Sequence, residues 1–272
     1  MFWRGAVCRA AVFVVPSLLV ACSSAQTNPT QGPSRPKPTP TQSAEFSIEL
    51  DSTGVADVSG IAISTDAVWL TEVLEPTATR SPNSSRLVRI NPITGAQVGS
   101  SPVGGQPVAV ASRGRYVWVA NGSGDGSVPE ASPNTVMQID EQTGGLLHTY
   151  PVLEPATVVA ANDLAFVLAG GAGNVQVKIL ELRDGVETTI GIISAGISSP
   201  GLALCGGDLF ATTIADDGIL QVSEVPVAGG APQMLAPLAP AIGAPLACDG
   251  STLMVAIRNA DDGGIYRIAV SH

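Results

Sequence analysis

Few side chains in this sequence are equipped for acid–base or metal chemistry. There are two histidines, His148 and His272, and four cysteines, Cys8, Cys22, Cys205 and Cys248. No Cys-x-x-Cys pair occurs, so a zinc site of the usual Cys/His kind has no ligands to draw on. Carboxylates are commoner: 23 Asp and Glu stand against 13 Lys and Arg, for a formal charge of −10. That acidic balance offers no electrostatic footprint for nucleic acid or for an anionic lipid surface. The run from Asn121 through Asp125 to Ser127 has the flavour of a calcium loop. Calcium asks for several carboxylates, however, and this run supplies one. The pairs Asp216-Asp217 and Asp261-Asp262 are ordinary turn formers as well. Gly170-Gly171-Ala172-Gly173 lacks the lysine and helix of a phosphate loop and reads as a tight turn. No catalytic residue, metal or cofactor is assigned.

The elements that must position these residues are strands. From residue 45 onward the sequence consists of short Val/Ile/Thr-rich runs separated by Gly, Asp, Asn and Pro, with no long stretch of helical period. The runs repeat. PVAVASRGRYVWVANG from Pro107, followed by TVMQIDEQTGGLLHTY, gives four strands joined by a turn, a loop and a turn. Similar units start at 58, 155, 200 and 243, a spacing of 43 to 49 residues. A four-stranded unit of that length is the size of a β-propeller blade. A β-sandwich has similar strands and turns but does not explain a tandem repeat.

The fifth unit stops after its third strand, GIYRIAV, and an orphan strand, Glu45–Asp51, precedes the first. The expectation is an all-β, five-bladed propeller over 45–272, its last blade completed by 45–51, which protects an edge that would otherwise be exposed. A monomer suffices for such a ring. Cys205 and Cys248 sit at matching positions at the ends of first strands in consecutive units. They form either a bridge between blades or two small buried thiols; an oxidising compartment favours the bridge. Trp69 and Trp118 also match and are expected to pack between blades.

The loops between second and third strands emerge on one face, at 72–85, 121–134, 170–174, 215–218 and 259–263. The first two are long, and long loops carry function more often than short ones. Together these segments carry Glu72, Glu75, Asn121, Asp125, Glu130, Asp216, Asp217, Asp261 and Asp262, with Arg80 and Arg86 as counter-charges. They are the candidate binding face, set against the plainer reading that these are turn residues with solvated charges.

Tyr116-Val117-Trp118-Val119-Ala120-Asn121 followed by Ile139-Asp140-Glu141-Gln142-Thr143-Gly144 resembles the YVTN and virginiamycin B lyase-like propeller repeats. Ala67–Leu70 with Ile90–Gly95 gives a weaker second copy, and the other three units match faintly. The resemblance implies a propeller and, for the lyase members, metal-assisted elimination by histidine and glutamate on one face. This chain departs from that pattern, because His148 falls in a fourth strand and His272 at the last position. The functional expectation is therefore a non-catalytic binding or scaffold module, with a metal-assisted lyase or hydrolase acting on an exported small molecule as the alternative.

The N-terminal segment gives an address. Arg4 and Arg9 precede an apolar stretch too short to span a membrane and interrupted by Pro16. It ends in Leu19-Val20-Ala21-Cys22, which resembles the lipobox of bacterial lipoproteins. The resemblance implies a signal peptide over 1–21, removed before Cys22 is lipidated. Residues 22–44, rich in Pro, Ser and Thr, then form a disordered tether whose extended reach is roughly 70 Å. The expected location is the extracytoplasmic face of the cell membrane, held by the lipid on Cys22 (palmitate among its chains). The expected partner is an envelope protein or glycan, not a nucleic acid.

Overall fold

The computed structural model describes residues 55–74, 84–122, 134–170, 176–194, 201–214, 217–240, 245–257 and 264–270. Regular structure among them is entirely β-strand, arranged in five antiparallel sheets that follow chain order. Sheet 1 holds β1 (Val55–Ile63), β2 (Val68–Leu74), β3 (Ser85–Ile90) and β4 (Gln97–Pro102). Sheet 2 holds β5 (Gln106–Arg113), β6 (Tyr116–Gly122), β7 (Thr135–Asp140) and β8 (Leu146–Pro151). In sheet 3 come β9 (Pro155–Ala161), β10 (Leu164–Ala169), β11 (Gln176–Arg183) and β12 (Val186–Ser194). Sheet 4 consists of β13 (Leu202–Cys205), β14 (Asp208–Ile214), β15 (Ile219–Val225) and β16 (Gln233–Pro240). The described part of sheet 5 is β17 (Leu246–Cys248), β18 (Thr252–Ile257) and β19 (Gly264–Ala269). Each sheet is a meander in which neighbours in sequence are neighbours in space. The five repeat units and the five sheets coincide to within three residues at their starts: Val55, Gln106, Pro155, Leu202 and Leu246 stand where 58, 107, 155, 200 and 243 were expected.

Burial explains the strand sequences. The second strands are covered on both faces: every residue of β10 is buried, and so is every residue of β6 after Tyr116. Such strands have no polar face to alternate with, hence Val-Trp-Val-Ala and Leu-Ala-Phe-Val-Leu-Ala. The fourth strands lie at the rim; only Tyr150 of β8 is buried.

Neighbouring sheets meet face to face. Trp69 of sheet 1 packs with Val117, Val119 and Ile139 of sheet 2, whereas Trp118 packs with Val158, Ala165, Val167 and Leu180 of sheet 3. Phe166 continues the series toward Leu209 and Val225 of sheet 4, and Phe210 toward Leu253 and Val255 of sheet 5. The inner strands β1 and β5 approach so closely that a Cβ on Gly60 would stand 3.0 Å from Val110 Cγ1. The tryptophans are inter-sheet packing residues, as expected.

One cross-strand pair recurs in the same register on every sheet. A bulky residue of the second strand faces a long polar one of the third: Trp69–Arg89, Trp118–Gln138, Phe166–Glu181, Phe210–Glu224 and Met254–Arg267. In sheets 1 to 4 the apolar member fills the space toward the next sheet, and in sheet 1 the Arg89 guanidinium lies over Trp69.

The turns between third and fourth strands are built by their own side chains. Asn91 Oδ1 accepts hydrogen bonds from Ile93 N (2.8 Å) and Thr94 N (3.0 Å), while Asp140 Oδ1 accepts from Thr143 N and Oγ1, both at 2.9 Å. Gly95 and Gly144 close these turns at φ 71° and 70°, where an L side chain is strained. This is why Asn/Asp-x-x-Thr-Gly recurs. The Thr143 backbone and side-chain donors, reinforced by Arg115, hold the Asp140 carboxyl below the usual carboxylate range, against a smaller opposing effect of burial.

Replacing Trp118 by Ala empties the space between sheets 2 and 3 and is expected to cost about 3–5 kcal/mol. Denaturant midpoints check this against Ile93→Ala, whose parent side chain is 87% exposed and whose loss is expected to cost under about 0.5 kcal/mol.

Candidate functional site

Four residues of the expected binding face fall within the described structure, and each has a structural role. Glu72 lies on β2 and is only 1% exposed. Arg86 lies opposite it on β3, and its Nε donates to Glu72 Oε2. Asn121 lies on β6, buried, with Nδ2 donating to Thr135 Oγ1 at 3.3 Å and Oδ1 without a partner. Asp217 is exposed and accepts a hydrogen bond from Ile219 N at 3.0 Å, a short turn that launches β15. Glu75, Arg80, Asp125, Glu130, Asp216, Asp261 and Asp262 lie outside the described residues, as do Cys22 and His272.

The expected loops 72–85 and 121–134 are thus corrected at their roots. β2 runs to Leu74 and β6 to Gly122, because Glu72 is neutralised across the strand pair by Arg86 and Asn121 is paired with Thr135. The connections are 75–84 and 123–134, and they leave from the same end of adjacent sheets. Both exceed 170–175, 215–218 and 258–263, the equivalent connections of the other sheets.

At the opposite ends of the strands, neighbouring sheets are tied together. Arg89 stacks its guanidinium 5.6 Å from the Trp69 ring centre and donates from Nη1 to the Gln142 carbonyl of sheet 2 at 3.3 Å. Ser101 Oγ donates to Gly144 O at 2.8 Å. Tyr150 Oη accepts from Gly185 N of sheet 3 at 3.0 Å and donates to Gln138 Oε1 at 3.3 Å. Burial pushes the Tyr150 phenol above its ordinary value, so it stays protonated and able to donate. Gly230 N of sheet 4 donates to Ile190 O of sheet 3 at 3.2 Å. These ties went unnoticed in the sequence, although Arg89 and Gln138 occupy one position of the repeat and so carried a signal.

His148 sits on β8, the fourth strand of sheet 2, exposed beside Tyr150 with ring centres 6.1 Å apart. Among the described residues no three His, Cys, Asp or Glu side chains come together as metal ligands would. Cys205 and Cys248 are bridged, with Cα atoms 5.5 Å apart, and join β13 of sheet 4 to β17 of sheet 5.

No protein-family model matches this sequence, and no curated protein matches it. Solved structures do match, at low identity. A chain of the nidogen/laminin complex is similar at TM-score 0.52 and 12% identity, over 78% of this chain and 76% of that one. A functionally unknown protein from Desulfotomaculum acetoxidans is similar at TM-score 0.52 and 14% identity, over 78% and 69%. The Neurospora crassa Pan2 WD40 domain is similar at TM-score 0.53 and 11% identity, over 79% and 65%. Similarity at this level concerns the fold: an all-β protein of antiparallel sheets in the β-propeller class.

The Glu72–Arg86 pair supplies a direct test of the corrected loop root. Arg86→Ala leaves a carboxylate buried without its partner and is expected to cost about 3 kcal/mol. Glu72→Leu combined with Arg86→Leu should recover most of that loss in urea titrations.

Proposed function

We propose that this chain is an exported, lipid-anchored β-propeller of five blades that binds an envelope protein or glycan through the face bearing connections 75–84 and 123–134. One observation carries the binding reading. The two longest of these connections leave the same end of two adjacent sheets that share a buried core, and long connections on a packed scaffold are where binding surfaces arise. In sequence these connections carry Glu75, Arg80, Asp125 and Glu130, charges of both signs with acid in excess. The Leu-Val-Ala-Cys motif supports a lipid on Cys22, and the segment 23–44 a tether that keeps the propeller clear of the membrane.

In this reading residues 45–51 complete the fifth blade. Among the described residues sheet 5 has three strands where each other sheet has four, so β19 ends in an open edge. Val68, Leu70, Val88 and Ile90 lie on the face of sheet 1 turned away from sheet 2. They are buried, yet they form a cluster that includes no described residue of another sheet. Ile265, on the corresponding outward face of sheet 5, is 71% exposed. Phe46, Ile48 and Leu50 alternate with polar residues just ahead of β1, the pattern a strand needs to cover one apolar face. A fourth strand there would also reach the Asn91–Ala96 turn of sheet 1, as β4 and β8 reach the turns of the sheets that follow them.

Replacing 75–84 and 123–134 by two-residue turns is expected to abolish retention of the partners that wild-type protein captures from envelope extracts, with the melting temperature kept within a few degrees. Cys22→Ala is expected to release the protein from the membrane fraction without changing those partners. Unchanged retention by the loop-shortened protein overturns the binding face. Deleting 45–51 is expected to lower the melting temperature by several degrees and to unprotect β19 amides first; an unchanged hydrogen-exchange pattern overturns the closure.

A further inference from the structure

The Cys205–Cys248 bridge has features that a purely structural staple does not need. Both cysteines end innermost strands, at the point where the chain reverses through Gly206-Gly207 and Asp249-Gly250. The bridge therefore lies near the turn-side surface of its sheets. Its two ends differ: Cys205 is 1% exposed, while Cys248 is partly exposed and flanked by exposed Ala247 and Asp249. Gly250 N donates a hydrogen bond to Cys248 Sγ at 3.1 Å. Among the described residues the inner strands are also shortest here. β1, β5 and β9 have nine, eight and seven residues, but β13 has four and β17 three. Only short strands therefore flank the covalent link, although Phe210, Ile214, Leu253 and Val255 still share a core.

We propose that this bridge is a thiol–disulfide exchange site, a latch on the terminal sheet that a protein dithiol opens. The first thiolate of the dithiol attacks Cys248 Sγ, the end it can reach. The S–S bond breaks, and the Cys205 sulfur leaves with the electron pair and takes up a proton. The second thiol of the reductant, deprotonated, then attacks its own sulfur in the mixed disulfide and frees Cys248 as a thiolate. The Gly250 N–H stabilises that charge until it is protonated. Two electrons have then passed to the bridge, and the reductant departs as its own disulfide. Sheet 5 loses its inner tie while keeping its core contacts, so it loosens locally and sheets 1 to 3 keep their packing. The consequence rests on the ring proposed above, in which sheet 5 is the last to dock.

The test uses the full chain in native buffer at neutral pH, with dithiothreitol as the probe. Alkylation and mass measurement count the thiols, and hydrogen exchange reads each sheet. The expected result is two new thiols without denaturant, exchange at least tenfold faster in Thr252–Ile257 and Gly264–Ala269, and no change across Gln106–Ile193. Reoxidation with oxidised glutathione should restore protection. Cys205→Ser with Cys248→Ser should show the loosened pattern with no reductant present. A bridge that resists dithiothreitol until denaturant is added overturns the exchange site, and so does loosening spread evenly over all sheets. Sheet 5 amides already unprotected in the oxidised protein overturn both the latch and the docked ring.

Discussion

A sheet that is apolar on both faces has no stable existence alone, and this constraint organises the molecule. β6 and β10 carry no continuous polar face, so each must be covered twice, once by the sheet before it and once by the sheet after. The covering residue on one side is the bulky member of the repeated pair: Trp69, Trp118, Phe166 or Phe210. Because each sheet is capped by the next, the demand for a partner passes along the chain and stops only where a sheet is covered by something else. Among the described residues the series ends at the outward face of sheet 1 and at the outward face of sheet 5.

The same pair explains how stiffness is distributed. The polar member stands at the edge of the inter-sheet core, and in sheets 1 and 2 it takes part in holding the following sheet's turn. Arg89 reaches the Gln142 carbonyl directly, and Gln138 orients Tyr150, which holds Gly185. The turn ends of sheets 1 to 4 are therefore cross-linked by hydrogen bonds across the seams. The loop ends have a different arrangement, with polar groups such as Glu72 and Asn121 buried at the roots of long connections.

Much of this architecture was legible in the sequence, and the reason is repetition. Val-Trp-Val-Ala and Asp-x-x-Thr-Gly are fixed by local physics, namely two-sided burial and a side-chain-capped turn with a left-handed glycine, so they recur wherever the unit recurs. The cysteine pairing was legible for the same reason, since equal positions in adjacent units are neighbours. Glu72 was placed at the start of a loop because charge alone suggests solvent. Its burial depends on facing Arg86 across a strand pair, and composition does not carry that register. Tyr150 escaped notice because its partner, the Gly185 amide, belongs to the backbone of another unit.

The same reasoning bears on chemistry. In a propeller built from pairs that bridge seams, a polar side chain on a strand is most often committed to its own or the next sheet. His148 illustrates this: its place on a fourth strand, beside Tyr150 and the Gly185 turn, is a seam position far in sequence from the long connections. Glu72 is held by Arg86, and Asp140 by Thr143 and Arg115. Reactivity in such a scaffold has to come from groups that the seams do not use. Among the described residues partly exposed Cys248 differs from Glu72 and Asp140, because what ties it across a seam is a covalent bond that electrons can open. The shortest described inner strands and a chemically reversible link thus coincide, and a fold whose sheets depend on their neighbours turns a change in one bond into a change in one sheet.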